Sequence, residues 1–393
     1  MKLIRKNILA TTILSMTAAA ALVACGGGGD TPAAAVKPDA SVDPIITAST
    51  TVAANIGASV IAGATSDEEV YNLAADIGDT WQLILNNKTN TYVMRVLSTQ
   101  YGLTSTTASG FTKTTVGSIT TITGATGSAL SVQIDTRTKT LAGNAMVGTR
   151  KASVAGTGYT VANATSLAGN YFYVGATRNV SNGSFPDNPI GSFIVAANGV
   201  DITACDRGIV VNGACAPVPG SGSTVVSSKA LKVNKDSATG LLMVKDGTRD
   251  FGVLHVSAGD RGPVLILDRF GPNDDNVLRG GVFFAGKAVK LGGTEFNGTF
   301  NCTTNGIDSA IAVVTGNTYT VKDVQRNTNN SGTLQYNKVT NEAGLLAIDL
   351  NGVAIVLNQG ETLARSALVL PLSSSLAVLS HDSGELDICR RAS

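Results

Sequence analysis

Histidine and tryptophan are almost missing from this chain. Its 393 residues include two histidines, His255 and His381, and one tryptophan, Trp81. So few imidazoles leave little room for a histidine-built metal centre or for histidine acid–base chemistry. Charge is also scarce, at 15% of residues, against about a quarter in ordinary soluble domains. The 29 Lys+Arg nearly balance the 28 Asp+Glu, and setting aside Lys2, Arg5 and Lys6 leaves 29 − 3 = 26 against 28, a net of −2. Such a surface lacks the concentrated positive charge that phosphate backbones require, so nucleic acid is not an expected partner. No C-x-x-C, G-x-S-x-G, H-E-x-x-H or Walker loop occurs, which removes the commonest local signatures of zinc, serine-hydrolase, zincin and nucleotide chemistry. The run SHDSGELD (380–387) holds Ser, His, Asp and Glu. A catalytic triad needs its base between nucleophile and acid, and neighbours in one short tail do not readily converge that way. The run reads as a polar turn, and His255 reads as structural.

What is present begins with the N-terminus. Lys2, Arg5 and Lys6 precede an apolar and small-residue run from Ile8 to Ala24, the order of a secretory signal peptide. The run is too short to span a bilayer, which takes about 20 predominantly apolar residues. It ends in Leu22-Val23-Ala24-Cys25, followed by Gly26 to Gly29. These four residues resemble the lipobox of bacterial lipoproteins. The resemblance implies diacylglycerol on the Cys25 sulfur, cleavage after Ala24, and acylation of the new amine, palmitate being a typical chain. The mature protein would then have 393 − 24 = 369 residues. Gly26 in place of Asp implies the outer membrane of a Gram-negative cell. The partner implied by Cys25 is therefore the membrane itself, held by more than one acyl chain.

Four further cysteines remain: Cys205, Cys215, Cys302 and Cys389. An even number in an exported chain suggests two disulfides. Three pairings are open. Cys205–Cys215 with Cys302–Cys389 is favoured, because the first closes a short loop and the second ties the C-terminal tail to the body.

From Thr80 onward short alternating runs are separated by turns. TWQLILN and TYVMRVL flank NKTN; SALSVQID precedes TRTKT; DFGVLHVSAGDRGPVLILDRF reads as two strands about a Gly-Asp-Arg-Gly turn; GVFFAGKAVKL adds another. Strands at this spacing predict an all-β fold of tandem antiparallel meander modules, closed as barrels or sandwiches, with a propeller as the alternative. Ser66-Asp67-Glu68-Glu69 has the form of a capping box and predicts one short helix over 67–75. The Gly-, Pro- and Ala-rich segment before it reads as a loose linker.

The chain also repeats itself. SFIVAANGVDITACD (192–206) aligns without gaps on SAIAVVTGNTYTVKD (309–323), and LKVNKDSATGLLMV (231–244) resembles LQYNKVTNEAGLLAI (334–348). Between the blocks the first copy is about 14 residues longer (231 − 206 = 25 against 334 − 323 = 11), and the excess contains Cys215. Gly169-Asn170-Tyr171 and Gly298-Thr299-Phe300 open the two copies, while ALSVQIDTRTKTLAG (129–143) echoes the second block faintly. The expected organisation is a signal peptide (1–24), lipidated cysteine and flexible linker (25–65), helix and first module (66–165), second module (166–295), and third module with tail (296–393). The Gly-x-Tyr openings and the hairpin IDTRTKTLAG resemble those of β-rich surface lipoproteins of the transferrin-binding type; no binding residues follow from that.

One polar cluster stands out. Asp268, Asn273, Asp274, Asp275 and Asn276 offer hard oxygen donors of the kind calcium takes, although their spacing departs from the EF-hand loop and Arg269 and Arg279 offer them ionic partners. A solvated turn is the alternative, and no cofactor is expected. The functional expectation is a lipid-anchored outer-membrane scaffold that binds a protein, glycan or small molecule without catalysis. A hydrolase working with paired carboxylates and a structural envelope lipoprotein are the alternatives.

Overall fold

The computed structural model describes residues 43–125, 129–185, 189–222, 226–341, 344, 346–381 and 383–392. The signal peptide, the lipobox and Cys25 lie outside them. The described chain forms three closed barrels of eight antiparallel strands, over residues 68–157, 169–287 and 298–391. Each is a meander in which successive strands pair and the last returns to the first. Closure comes from Asn72–Ala75 pairing with Val154–Thr157, from Tyr171–Asn179 with Arg279–Lys287, and from Phe300–Thr303 with Ile388–Arg391.

The hairpins expected from sequence are present. Asp79–Asn86 and Thr91–Ser98 pair about the NKTN turn, and Arg249–Gly259 pairs with Gly262–Arg269. The repeat falls on equivalent strands. Its first block covers the second and third strands of the second and third barrels, and its second block covers their fourth and fifth. The echo at 129–143 falls instead on the sixth and seventh strands of the first barrel, so it reflects hairpin chemistry rather than a shared position. The extra residues of the first copy form a hairpin of their own, Gly208–Val211 with Ala214–Pro217. Cys205–Cys215 and Cys302–Cys389 are both at disulfide bonding distance.

The expected helix over 67–75 is incorrect. Glu68–Ala75 is the first strand of the first barrel. A capping box is a local preference, and here long-range pairing overrides it. Tyr71, Leu73 and Ala75 fill that barrel's interior while Ala74 packs outward against the other barrels. A strand with both faces buried carries a nearly continuous apolar run, which local patterning does not separate from a helix. The helix is Pro44–Asn55, inside the segment read as a loose linker, so that reading is corrected from residue 43 onward. Asp43 caps it by accepting from the Ile45 amide at 2.9 Å, and Pro44 occupies the first turn, where its missing N–H costs nothing. Asp43 also pairs with Arg137 at 3.2 Å. The Ser49 hydroxyl donates to the Ala258 carbonyl at 2.7 Å.

The barrels share one core. Phe172, Val174, Ile266, Val282 and Phe284 project outward from the second barrel and meet Ile355, Leu370, Val378 and Ile388 of the third. Ala74, Ala142 and Ala155 of the first pack into the same cluster. Bulky side chains on two barrels thus face small ones on the third, which lets the sheets approach closely. Gly78 shows how closely. Its φ is +86°, and a Cβ there would lie 2.5 Å from the Arg269 carbonyl oxygen and from the Gly280 Cα, so only glycine fits.

Equivalent turns meet at both ends of this core. At one end, first-to-second-strand turns converge. Asp76 of the first barrel accepts from the Asn305 amide of the third at 2.9 Å and lies 3.7 Å from Arg178 of the second. Arg178 in turn donates to Asn305 Oδ1 at 2.9 Å. At the other end, sixth-to-seventh-strand turns are linked in a ring. Thr140 meets Ser257 at 3.1 Å, Ser374 Oγ donates to Asp260 at 2.6 Å, and Ser375 donates to Asp135. The three barrels therefore stand side by side in the same direction.

Candidate functional site

Because the barrels are parallel, their odd-to-even turns all lie on the Asp76 side. The interior of the first barrel is filled there and throughout by Trp81, Leu83, Met94, Phe111, Ile122 and their neighbours. The second and third barrels keep cavities of about 340 and 660 Å³, within the range of small-molecule pockets.

The second barrel's cavity is a cup. At its closed end Ala53 of the helix and Ile56 just after it, with Val161, Ala164 and Leu167, pack onto Tyr171, Val256 and Ala258. Its wall carries Tyr173, Phe193, Phe251, Phe283, Leu254 and Leu265. The rings form a continuous arc. Tyr171 stacks on Phe193 at 5.1 Å, Tyr173 lies 6.1 Å from Phe193 and 6.0 Å from Phe283, and Phe283 is 6.4 Å from Phe251. Alternation along the strands puts these residues inside, while Phe172 and Phe284 point to the shared core.

Polar groups gather only at the mouth: Lys229, Arg269, Arg279, Asp206 and Asp274. Arg269 stacks on Phe251 at 4.1 Å. Its Nη1 and Nη2 donate to the carbonyls of Phe251, Phe270, Gly271 and Pro272, which folds the following loop around it. Burial pulls its pKa down to about 10. Lys229 is held by Asp246 at 2.7 Å and by Asp274 at 3.1 Å. Arg279 differs, because its buried Nη1 has no hydrogen-bond partner. Gln100 of the first barrel fixes the backbone there, donating to the Arg279 carbonyl at 2.8 Å and accepting from the Gly271 amide at 3.2 Å. A neighbouring barrel thus positions the rim.

The five residues considered for calcium do not come together. Asp268 points outward, fully buried against the first barrel, and accepts from the Thr80 hydroxyl. Burial pushes its carboxyl well above the ordinary value. Asn273 Oδ1 is occupied by the amides of Asp275 and Val277, at 3.0 and 2.9 Å. Asp274 serves Lys229, and Asp275 and Asn276 are exposed. Strand alternation separates Asp268 from the loop that follows it, which is why a linear cluster is not a spatial one. Among the described residues no group of three His, Cys, Asp or Glu side chains is arranged to hold a metal.

The third barrel's cavity holds a polar hub. Asp387 accepts from Thr304, from Ser309 at 2.8 Å, and bonds His381 Nε2 at 3.0 Å. Burial pushes this carboxyl up, but the bonds from His381, Thr304 and Ser309 outweigh it and hold it below its ordinary value. The tail run SHDSGELD does bring His381 and Asp387 together. The carboxylate stands in the middle, and Ser309 donates to it at 2.8 Å, whereas a triad sets the base between nucleophile and acid. Tyr319, Asn358 and Glu361 likewise bond one another, at 2.6 and 2.7 Å.

No protein-family model, curated protein or solved structure matches this chain. The fold and the cups are therefore read from their own geometry.

His255 faces the first barrel, buried, with its Nε2 4.0 Å from Asp268. Burial lowers its pKa from 6.5 to about 4. The folded state then resists protonation, and stability present above pH 6.5 is lost as pH falls towards 4. The 6.5 − 4 = 2.5 unit gap corresponds to about 3 kcal/mol. Asp76 acts in the opposite sense, since burial raises it to about 6 and it gains stability as pH falls from 6 towards 3.8. Comparing the native chain with His255→Leu isolates the histidine. Urea midpoints at pH 7 and pH 4.5 are expected to converge in the variant relative to the native chain; an unchanged pH response would refute the assignment.

Proposed function

We propose that this chain is a lipid-anchored outer-membrane protein that binds a small molecule without transforming it, in the cup of its second barrel. The observation that carries the reading is the cup itself. It is closed at one end, walled by aromatic and aliphatic side chains, and polar only at the mouth, the arrangement of small-molecule sites. The anchor is Cys25, in the lipobox-like Leu22-Val23-Ala24-Cys25. In the third barrel's cavity the Thr304 and Ser309 hydroxyls donate to Asp387, which supports a non-catalytic role.

Two measurements test this. Cys25→Ala is expected to move the protein from the membrane fraction to the soluble periplasmic fraction; retention on the membrane would remove the anchor. A neutral naphthylamine dye is expected to brighten saturably on the purified chain, at one dye per chain. Ala204→Phe, which adds a ring to the cup wall, is expected to abolish that signal with little change in melting temperature. A dye signal indifferent to Ala204→Phe would rule out the second barrel as the site.

A further inference from the structure

We propose that the second barrel's cup is built for an amphipathic carboxylate, an aliphatic or aromatic acid whose apolar body lies along the Tyr173–Phe193–Phe283–Phe251 arc and whose carboxylate meets Arg279. This rests on the reading of the cup as a small-molecule site and adds the charge and shape of what enters it.

The argument is one of unmet valence. Three cations and two carboxylates line the mouth. Lys229 is committed to Asp246 and Asp274, and Arg269 is committed to four carbonyls of its own loop. Arg279 alone among the three keeps a buried N–H with no acceptor. A buried donor without a partner is destabilising, the more so when it is charged. A ligand oxygen removes that cost, and a carboxylate matches a guanidinium better than a neutral acceptor does.

Strand geometry places Arg279 for this. Phe283 lies in the cup wall, and the two-residue alternation puts Arg279 on the same face, nearer the mouth. Arg269 precedes the mouth loop on the adjacent strand, its guanidinium covered by Phe251. The carboxylates nearest Arg269, Asp246 and Asp274, are both paired with Lys229. Asp206 lies on the third strand, three strands round the barrel from Arg279. A ligand with its acid group at the arginines and its body in the arc therefore avoids Asp206. A primary amine of the same shape would set its charge beside Arg279 and meet carboxylates that Lys229 already holds. Below the rim the wall is too apolar for a sugar, which would lose hydrogen bonds on entry. The volume of about 340 Å³ sets the scale at the small end of drug-like pockets.

The experiment uses the full chain carrying Cys25→Ala, so that no detergent competes for the cup. Decanoate and phenylbutyrate are titrated against the bound naphthylamine dye, alongside decanol, decylamine and acetate. Both acids are expected to displace the dye, with decanol and decylamine at least tenfold weaker and acetate inactive. Arg279→Gln keeps the backbone bonds to Gln100. It is expected to weaken both acids about tenfold and decanol far less, with the dye's own affinity measured on each chain. Equal displacement by acid and alcohol, or acid binding unmoved by Arg279→Gln, would overturn the carboxylate assignment and leave the cup as a neutral apolar site. Failure of every compound, with the dye itself unbound, would overturn the small-molecule reading as well.

Discussion

The double substitution Cys302→Ser with Cys389→Ser is expected to lower unfolding stability by about 4–5 kcal/mol. The two cysteines are 87 positions apart in sequence yet face each other in register on the first and last strands of the third barrel. In the chain-entropy account a loop of that length is worth about 4.5 kcal/mol at 25 °C, against somewhat under 3 for the 10-position separation of Cys205 and Cys215. Position adds to length. The bond crosses the seam at which the barrel closes, and both residues belong to the interior cluster with Phe300, Tyr319 and Leu334. Opening it frees the one contact between strands that chain connectivity does not already hold near each other. Guanidinium denaturation of both double variants gives the comparison. Trp81, buried inside the first barrel, reports that barrel by fluorescence, whereas circular dichroism reports all three. The circular-dichroism transition should therefore precede the tryptophan transition when Cys302–Cys389 is removed. If the Cys205/Cys215 variant proved the less stable of the two, the closure argument would be wrong.

That seam also marks where sequence reading reaches its limit. Individual strands and their hairpin turns were legible because each is a local pattern, the duplicated blocks because they repeat one, and the cysteine pairing was favoured among three from an even count and the loops it closes. Closure was not, since pairing Asn72–Ala75 with Val154–Thr157 joins segments about eighty positions apart and leaves no local trace. Sandwich, propeller and barrel therefore stayed open. Glu68–Ala75 was mistaken for a helix because a cap signal is short-range, while the burial of both its faces is tertiary. The Asp43-Pro44 start of the true helix was legible in principle, but sat in a segment whose composition resembles a linker. The cup left a fainter mark: seven of the ten phenylalanines lie between residues 166 and 295. Arg279 left none, because what distinguishes it is a missing partner, which only three-dimensional placement reveals. Asp268 misled for the converse reason, being adjacent in sequence to a polar loop whose opposite side it faces.

Phe283 and Phe284 turn these arguments into a measurement. They are neighbours on one strand with the same side chain, and the pleat sends them to opposite faces. Phe284 is fully buried in the core shared by the barrels, beside its strand partners Val174 and Ile266. Phe283 lines the cup, where one side of its ring meets empty space. Phe284→Ala leaves a cavity that three rigid barrels cannot collapse, and is expected to cost about 3–5 kcal/mol. It should also make the seams between barrels accessible, so that limited proteolysis cuts near residues 158–168 and 288–297. Phe283→Ala removes contacts from a wall already half open and should cost well under half as much. Its effect belongs on binding instead, weakening the dye and phenylbutyrate while leaving proteolysis unchanged. Urea denaturation of the two single variants decides the matter. A larger loss for Phe283→Ala than for Phe284→Ala would mean that the barrels stand independently and that their common core is a contact rather than a support. The reverse order ties the two halves of the proposal together, because a rim positioned by Gln100 of one barrel against Arg279 of the next requires that the barrels be held as a unit.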